Sequence, residues 1–596
     1  MIVRMKKLTI LCMEQDKNAT LQKLRDMGVL HLVPVLKPEG EHLEKTRREL
    51  ARAEFVLNSM ILRPGSKQKK PGTSPKHIVT GEEAVSQVQK LLSQKKELTH
   101  RIESLNAEKE LLEPLGDFEP QIIEDLRRKG VNIRLFSCRK DKLPAPAESY
   151  MGFVVGEKEK VVFIAMIGEP PANFEGKEIY LPPYSLSEVI ARLREAEEQL
   201  KNIEESLDEL QVTLPAIKKY TIVLREKVRF LEADASMGKS GIVTYLQGFC
   251  PEDKVQSVVE SARVNGWGIL VSDPEEGDVV PTLIKNPRWI RPIQALFDLM
   301  QILPGYREVD VSAVFLIFFS IFFAMIIGDA GYGLLFLGIT LLLRKKFPRA
   351  PSEPFNLMKL FSVCTIIWGI LTGMYFGITV LPGPLARLRI DWLSDNQNMM
   401  ILCLYIGAIH LTVAHMWNFI RMFHSRTAYA QLGWAGVVWG LFFIANSLLF
   451  DKPLYSWYVI LTVAGGLAGV LLSMPPGKKE WVNVAILPLT IMSNFGDILS
   501  YLRLWALGIA SMKLAGAFNE MVVKMIGFSD PLRMFGSALI LFIGHALNIG
   551  LGCLSVLVHG VRLNALEFST HFGLEWTGIP YRPFAKEITA EENHNT

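Results

Sequence analysis

The fold is decided by NVAILPLTIMSNFGDILSYLRLWALGIASMKLAGAFNEMVVKMI (483–526) and RMFGSALILFIGHALNIGLGCLSVLVHGVRLNALEFSTHF (533–572), two apolar stretches near the C-terminus. A helix of about 40 residues rising 1.5 Å per residue extends for roughly 60 Å, twice the hydrocarbon thickness of a bilayer. We therefore expect each stretch to form a membrane helix that leans steeply, breaks or projects into water.

Each long stretch contains one arginine far from its ends, Arg503 in the first and Arg562 in the second. A guanidinium group stays protonated, and placing it at the bilayer centre costs at least about 2.5–3.5 kcal/mol. Such a residue is by default a functional hypothesis. Two structural alternatives stay open: snorkelling to the interface, or a static ion pair with Asp497 or Glu567.

The helical faces of the two arginines differ in character. At 100° per residue, Arg503 shares its face with Gly496, Leu499, Ser500, Ala506, Leu507, Ala510, Leu514 and Ala517. Small residues of this kind let another helix approach closely. Arg562 shares its face with Asn548, Ser555, His559 and Ser569, a polar stripe that suits a hydrated path. Asn494, Asp497 and Tyr501 lie away from Arg503, where they could line an aqueous crevice or hydrogen-bond within the bundle.

Apolar runs long enough to be candidate spans fill the rest of the C-terminal half. The predicted spans are 311–328, 330–344, 357–381, 399–420, 431–450, 455–473, 483–526 and 533–572. With the N-terminal half inside, the inner loops carry eight Lys and Arg residues and the outer loops four. This asymmetry predicts a multi-pass protein of the cell membrane with both the N-terminal domain and the C-terminus in the cytoplasm.

The charges divide the chain in two. Residues 1–300 contain 45 basic and 45 acidic side chains, whereas residues 301–596 contain 20 and 16. We therefore predict a cytoplasmic domain at 1–305 and an ion-translocating transmembrane domain at 306–596. The net charge of +4 argues against nucleic-acid binding. Six scattered cysteines support no disulfide framework or metal centre, and the N-terminal apolar run is too short for a signal peptide.

The soluble half reads as two small α/β lobes joined by an antiparallel coiled coil. A βαβ lobe at 1–40 is completed by 241–275, and a distal α/β lobe occupies 115–183. Leucine and other apolar residues spaced by three and four form the coiled-coil strands at 41–114, interrupted by the Pro-, Gly- and Lys-rich stretch 63–79, and at 184–235. The alternative is an amphipathic helix lying on a globular domain. The predicted fold class is an α-rich membrane protein with eight transmembrane helices.

The segment ADASMGKS (233–240) superficially resembles a phosphate-binding loop. A phosphate loop needs a preceding strand and several glycines whose backbone curves around the phosphate. The preceding residues instead have helical character, and Asp234 would add a negative charge. We interpret the segment as a helix end broken at Gly238.

Several motifs resemble one protein family along almost the whole chain. They are PTLIKNPRWIRPIQALFDLMQILPGYREVD (281–310), IIGDAGYGLLFLG (326–338), WGILTGMYFG (368–377), IGAIHL (406–411), LSYLRLWALGIA (499–510) and VHGVRLNALEFSTHF (558–572). With them the chain resembles the membrane-anchored stator subunit of rotary V/A-type ATPases, called subunit a in eukaryotes and subunit I in archaea and bacteria.

The resemblance implies that Arg503 and Arg562 face a rotating ring of proteolipid subunits of the c or K type, each with one ion-carrying carboxylate. Two half-channels would lead to them; the candidate lining residues are Glu567, His559, Asn548, Ser555 and Asp497. The implied partners are the ring, peripheral stalk subunits of the E/G type, a central stalk subunit of the d/C type and membrane lipid. No nucleotide site, cofactor or metal is expected on this chain, which is not an enzyme on its own.

Two other functions stay open. A secondary ion antiporter with a regulatory coiled coil would show internal repeats and broken helices, and no clear repeat is found among the predicted spans. A purely structural membrane anchor would use the arginines for packing only. His410 and His415 lie about 140° apart on a helix and do not form a metal pair, so packed or interfacial positions are expected. Asp329 is expected at a turn between the first two spans.

Overall fold

The computed structural model describes residues 1–62, 80–140, 150–158, 161–168, 174, 176–378, 383–451, 453, 457–473, 480–525 and 531–586. These residues divide into two compact units. One contains the described residues among 1–8, 249–261 and 270–583, and the other those among 9–248, 262–269 and 584–586. The predicted boundary at 305/306 stays a prediction.

The first 275 residues contain seven helices in their described part: α1 (Lys17–Met27), α2 (Glu41–Ile61), α3 (Gly81–Leu112), α4 (Pro120–Arg128), α5 (Leu186–Glu209), α6 (Leu214–Ala235) and α7 (Val255–Asn265). The strands there are β1 (Met5–Met13), β2 (His31–Val33), β3 (Ile133–Arg139), β4 (Tyr150–Lys158), β5 (Val161–Gly168), β6 (Lys177–Ile179), β7 (Gly238–Ser240), β8 (Val243–Pro251) and β9 (Gly268–Ser272). One sheet has the order β2-β8-β1-β9 with β7 on β8, and the other β4-β5-β3-β6. The strand–helix–strand order expected at the N-terminus is therefore present.

Four of these helices pack side by side in antiparallel fashion. Arg225 at the middle of α6 hydrogen-bonds through Nη2 to Glu54 of α2 at 2.7 Å, and Lys95 of α3 pairs with Glu204 of α5 at 2.7 Å. The apolar residues between them form two buried clusters, one centred on Ala53 and Val88 and the other on Leu105. Helix pairing at the predicted apolar seam is thus present, while supercoiling stays a prediction. The stretch 63–79 lies outside the described residues.

The segment 233–240, which superficially resembles a phosphate-binding loop, differs in part from the structure predicted for it. Helix α6 ends at Ala235 with Ser236 as its C-cap, and Gly238–Ser240 forms strand β7, antiparallel to β8. A Cβ at Gly238 would lie 2.3 Å from the Tyr245 ring, so close packing against the ring requires glycine there. The helix end predicted within 233–240 is therefore confirmed, but the helix is broken at Ser236 and not at Gly238.

A partly exposed ion pair joins β6 to β3 in the distal lobe. Arg134 donates from Nε to Glu178 Oε1 at 2.7 Å and from Nη2 to Oε2 at 2.5 Å. These hydrogen bonds lower the pKa of Glu178 below its usual value, because they favour the charged carboxylate. The pair therefore stabilises the lobe above the unfolded-state pKa, and this contribution is lost as the pH falls through the lower folded-state pKa.

We expect Glu178→Gln to reduce amide-hydrogen protection of β3 and β6 about fivefold at neutral pH, the equivalent of about 1 kcal/mol for a half-exposed pair. At a pH below the folded-state pKa of Glu178 the variant and the parent should exchange alike, since the parent carboxylate is then protonated. Hydrogen exchange read by mass spectrometry measures both. The control is Glu157→Gln, whose partner Lys140 is mostly exposed and whose loss should change protection less than twofold. Equal effects of the two substitutions would contradict the prediction.

The remaining helices are α8 (Gln294–Met300), α9 (Ser312–Ile327), α10 (Ala330–Lys346), α11 (Ser352–Thr372), α12 (Gly383–Ala386), α13 (Asn396–Arg421), α14 (Arg426–Leu449), α15 (Trp457–Ser473), α16 (Glu480–Ser500), α17 (Leu502–Met525), α18 (Pro531–Ser555) and α19 (Ser569–Phe572). Two short strands, β10 (Pro281–Thr282) and β11 (Ile579–Pro580), pair in parallel. Most of the buried apolar side chains from 290 onward form one core cluster.

Five helical segments of the described chain are long and apolar enough to cross a membrane: α11, α13, α14, 484–525 and 532–572. Helices α9 and α10 pass the same test only together, with a bend of 118° between them, so the count is six if they form one span. Helix α15 is apolar but only 17 residues long. The expected count of eight spans is therefore not confirmed.

The turn between α9 and α10 is held by Asp329. Its Oδ1 accepts hydrogen bonds from the backbone N–H groups of Gly331, Tyr332 and Phe376, and its Oδ2 accepts one from Gly377. The carboxylate thus caps α10 and fixes a second loop to the same turn. A turn at Asp329 was expected, and the structure places it there.

Helices α14 and α15 approach each other through glycine. A Cβ built on Gly466 would lie 2.6 Å from Val437 N and 2.8 Å from Gly433 O. One built on Gly433 would lie 2.5 Å from Val470 N. Backbone therefore meets backbone along this contact, as in small-residue helix pairs of membranes.

Candidate functional site

Arg503 lies just after the interruption in the first long helix. Tyr501 separates α16 from α17, and its buried hydroxyl group is 2.8 Å from His410 Nδ1. The backbone turns tightly there, with hydrogen bonds from Tyr501 N to Ile498 O and from Leu504 N to Tyr501 O. Arg503 is half-buried, and its buried Nη1 has no hydrogen-bond partner among the described residues. The guanidinium is therefore held in the bundle while the N–H groups of its Nη1 donate to no described residue.

Arg562 pairs with Glu567 because the second long helix changes its winding. The segments Val556–Gly560 and Leu563–Phe568 are π-helical, so hydrogen bonds link residues five apart and residues five apart come onto one side. Arg562 Nε donates to Glu567 Oε1 at 3.2 Å. The Arg562 side chain is 52% exposed, whereas that of Glu567 is 3% exposed. The buried carboxylate thus pairs with a guanidinium that is half-exposed.

Glu567 has an acceptor oxygen that forms no hydrogen bond. Its Oε2 is buried without a hydrogen-bond partner in the described part of the chain. Both arginines and Asp497 interact with its charge. A buried carboxylate oxygen without a partner is rare in folded proteins and is typical of functional sites.

The π-helical segments also alter the polar stripe predicted beside Arg562, because a constant 100° step does not apply there. Asn548 is 2% exposed and hydrogen-bonds to Ser511, and Ser569 donates to Asn564 O. Ser555 and His559 are half-buried. The stripe therefore does not form one continuous hydrated face.

A first polar network, the Tyr332 network, connects the three helices α10, α17 and α18 with one loop. Asn548 Nδ2 donates to the Tyr332 hydroxyl group at 3.0 Å and to Ser511 O at 3.0 Å. The Tyr332 hydroxyl is 2.7 Å from His545 Nδ1, and His545 Nε2 is 3.2 Å from Asn519 Oδ1. Asn519 Nδ2 in turn donates to a backbone carbonyl of the loop that Asp329 holds. Polar side chains thus form a continuous chain in an otherwise apolar bundle.

A second polar network, the Asp497 network, connects α13, α14, α16 and α19. Asp497 Oδ2 is 3.2 Å from His571 Nε2, and His571 Nδ1 is 2.9 Å from His415 Nε2. His415 Nδ1 is 2.7 Å from Gln431 Oε1. Asn418 Nδ2 donates to the backbone carbonyl of Phe572 at 2.9 Å and fixes the helix end there. His415 therefore belongs to a hydrogen-bonded chain.

His410 is packed in the core. A packed position was one of the two expected for it, the other being interfacial. Its ring stacks on Phe318 at a centroid distance of 3.9 Å and on Phe568 at 4.5 Å. It thereby joins Tyr501, two residues before Arg503, to Phe568, the residue after Glu567. The two arginine-bearing helices share this support.

The two networks lie on opposite sides of the arginines along both long helices. Asp497 precedes Arg503 by six residues, and Ser511 follows it by eight, which at helical rise is about 9 and 12 Å. On the other helix Asn548 precedes Arg562 and His571 follows it. The small-residue face of Arg503 is open: Gly496, Ala506, Ala510 and Ala517 are exposed. The guanidinium groups thus stand between two separate polar paths.

Sequence reasoning placed Asn548 and Asp497 among the site residues but missed most of their partners. Tyr332, His545 and Asn519 were not singled out, nor were His571 and Gln431. A polar residue every three or four positions, as in His545 and Asn548 or Glu567 and His571, was the available signal. The contacts between helices that join them were not readable from the sequence.

Apolar helices of membrane-crossing length, with charged and polar groups buried among them, are typical of a membrane protein. No family model matches the chain. A V-type ATP synthase subunit I of Treponema pallidum is 31% identical over 98% of this chain and 100% of its own length. One of Borreliella burgdorferi is 30% identical over 98% and 100%. An A-type ATP synthase subunit I of Methanocaldococcus jannaschii is 27% identical over 98% of both. The chain belongs to this V-type and A-type ATP synthase subunit I family.

Among solved structures, the cytoplasmic N-terminal domain of a subunit I, described as a homologue of V-ATPase subunit a, is similar to this chain. It is 19% identical with a TM-score of 0.23, and the similarity covers 45% of this chain and 99% of that domain.

Proposed function

We propose that this chain is the ion-conducting stator subunit of a rotary V/A-type ATPase or ATP synthase. Arg503 and Arg562 face a proteolipid ring, and the Tyr332 and Asp497 networks are parts of two half-channels. The observation that carries the proposal is the position of both guanidinium groups between two separate polar networks. The ring carboxylates carry protons or sodium ions, and the rotary complex works in synthesis or hydrolysis.

The chemistry follows from a fixed charge beside a moving one. A guanidinium attracts a deprotonated ring carboxylate and thereby favours release of its ion into one half-channel. After passing the arginines, the carboxylate takes up an ion from the other half-channel before it enters lipid. Since arginine does not deprotonate, it also blocks direct proton transfer between the two networks. Each elementary charge moved across 100 mV supplies about 2.3 kcal/mol for rotation.

Glu567 gives Arg562 a second partner. When no ring carboxylate is near, the 3.2 Å pair with Glu567 holds the exposed guanidinium in place. A passing ring carboxylate competes for the same cation, so the charge is handed over without leaving the guanidinium unpaired. His559 and Ser555, both half-buried on this helix, line the path next to Arg562.

The remaining architecture follows the same proposal. The apolar helices, with α9 and α10 crossing separately and α15 included, form eight spans with both termini in the cytoplasm. The antiparallel helices α2, α3, α5 and α6 form the coiled coil that holds peripheral stalk subunits of the E/G type. A central stalk subunit of the d/C type couples the ring to the catalytic subunits, which are other chains.

The face proposed for the ring can be tested by photo-cross-linking in the assembled complex. We expect a photoreactive phenylalanine at Ala510 to capture a proteolipid subunit, because Ala510 is exposed and lies about 20° from Arg503 around the helix. The same amino acid at Val523, 73% exposed but about 160° away, should not capture it. Mass spectrometry of the cross-linked product identifies the partner. Equal capture at both positions, or none at Ala510, would reject this face.

A further inference from the structure

The segment 288–300, called the pre-α9 segment, exposes apolar side chains next to cations. Trp289 is 60% exposed, and Leu299 of α8 is 69% exposed. Arg288 and Arg291 stand on either side of Trp289 and are exposed too, and their side chains have no ion pair or hydrogen bond among the described residues. Tryptophan and arginine together are typical of the boundary between lipid and water, because each combines an apolar body with a polar end.

The other face of the pre-α9 segment is buried against an apolar helix. Ile293 and Phe297 belong to the same core cluster as Leu357 and Phe361 of α11. The short turn that contains Ile293 and the helix α8 that follows it both contact α11. The segment is therefore fixed on α11 by one apolar face, while its other face is left open.

Helix α11 indicates the level of this contact in a bilayer. Its 21 residues, Ser352–Thr372, extend for about 32 Å, which matches the thickness of the hydrocarbon core. Leu357 and Phe361 lie about 8 and 14 Å from its first residue. Lys359, between them, is half-buried, and a lysine near the end of a membrane helix reaches towards the headgroups. The pre-α9 segment therefore lies at the surface of the leaflet in which α11 begins.

Cations outnumber acidic side chains around the start of α11. The end of α10 lies there too, because the guanidinium carbon of Arg344 is 5.4 Å from the centre of the Phe355 ring. In 288–300 and 344–361 the acidic side chains are Asp298, which is exposed, and Glu353, which is half-buried. The exposed cations in the same two stretches are Arg288, Arg291, Lys345, Lys346 and Arg349. The surface is therefore positive, which complements the charge of an anionic lipid surface.

We propose that the pre-α9 segment binds anionic phospholipid in the leaflet in which α11 begins. Arg288 and Arg291 hold the lipid phosphate, since a planar guanidinium presents paired N–H donors to phosphate oxygens. Trp289 lies at the level of the headgroups and keeps the segment on the bilayer. A zwitterionic phospholipid has a phosphate as well, but its own cation cancels that charge, so the arginines favour the anionic lipid. This binding does not depend on ion transport by the chain.

The lipid is identified by replacing Trp289 with a photoreactive phenylalanine in the full-length chain. The protein is placed in nanodiscs of phosphatidylcholine mixed with phosphatidylglycerol, and mass spectrometry reads the captured lipid. We expect phosphatidylglycerol to be captured well above its share of the bilayer. Arg288→Gln and Arg291→Gln should each lower this enrichment about fivefold, the contribution of one cation near an anionic surface.

A second exposed tryptophan supplies the matched position. Trp392 is 47% exposed, but there Arg389 is paired with Asp391 at 3.4 Å, so the local charge is balanced. The same amino acid at Trp392 should capture the two lipids in their bulk proportion. Bulk proportion at Trp289, or enrichment unchanged in both arginine variants, would overturn the proposal. Capture of a protein subunit in place of lipid in the assembled complex would assign this surface to a protein partner and would overturn it too.

The opposite change in charge tests the same site without removing an arginine. Asp298 is exposed on α8, seven residues or about 10 Å along the helix from Arg291, and its carboxylate repels an anionic headgroup. We expect Asp298→Asn to raise the enrichment of phosphatidylglycerol at Trp289 at least twofold. Enrichment that does not rise in this variant would contradict electrostatic recognition of the lipid.

Discussion

Replacing Arg503 with Gln is expected to reduce ATP-driven ion uptake by at least about 100-fold in assembled complexes. Opposite charges about 4 Å apart attract by roughly 4 kcal/mol at an effective dielectric constant of about 20, and each 1.36 kcal/mol of barrier is a factor of ten in rate. Arg503→Lys should also be impaired, because a desolvated ammonium group can lose its proton, whereas a guanidinium does not. Uptake is followed with a pH-sensitive dye in vesicles that contain the complex.

The matched control is Lys524→Gln, which removes an exposed cation from the same helix near its end. Its uptake should stay within twofold of the parent. Assembly is checked by retention of the soluble ATPase subunits on the membrane, which should be equal in all variants. Normal uptake by both Arg503 variants would contradict the proposed role and favour a packing function.

Gly466→Ala is expected to destabilise the membrane domain by about 2–3 kcal/mol, the cost of overpacking a close contact. The added methyl group would lie 2.6 Å from the backbone nitrogen of Val437, and the nearest atoms are all backbone of α14 that cannot rotate away. Helices α14 and α15 would have to separate. The midpoint of thermal unfolding in detergent should fall by several degrees.

The adjacent glycine supplies the control for this prediction. A Cβ on Gly465 meets nothing within 4 Å, so Gly465→Ala adds the same atom to the same helix without a clash. Because alanine favours helix over glycine by about 1 kcal/mol, this variant should be unchanged or slightly more stable. Similar melting of the two variants would show that α14 and α15 do not pack through Gly466.

The sequence was most informative where one local pattern decides a structure. The βαβ lobe predicted at 1–40 does begin with a strand, Met5–Met13, and the apolar runs predicted the membrane helices, because hydrophobic pattern is a local property. The sequence also showed that Arg503 and Arg562 lie far from the ends of their apolar stretches, because this too is a local property. Asp329 could be placed at a turn because it stands between two apolar runs.

What the sequence could not provide depends on winding and on distant contacts. The pairing of Arg562 with Glu567, one of the alternatives that the sequence left open, depends on the π-helix, because a constant 100° step places these residues about 140° apart. His571 meets His415 across more than 150 residues of sequence, a proximity that only packing creates. The bend of 118° between α9 and α10 likewise depends on the loop that Asp329 holds. Because the apolar runs do not reveal this bend, the number of spans could not be counted from the sequence.

The unusual winding of 556–568 makes this segment tolerant of one lost residue but not of one gained. Each π-helical turn accommodates a surplus residue, so deleting one amino acid there would let the chain relax to ordinary α-helix. A deletion between Arg562 and Glu567 would leave them four residues apart, about 40° around an α-helix, so the two side chains would stay on one side. An insertion between them would place them six residues apart, about 120° around an α-helix, and would separate the charges.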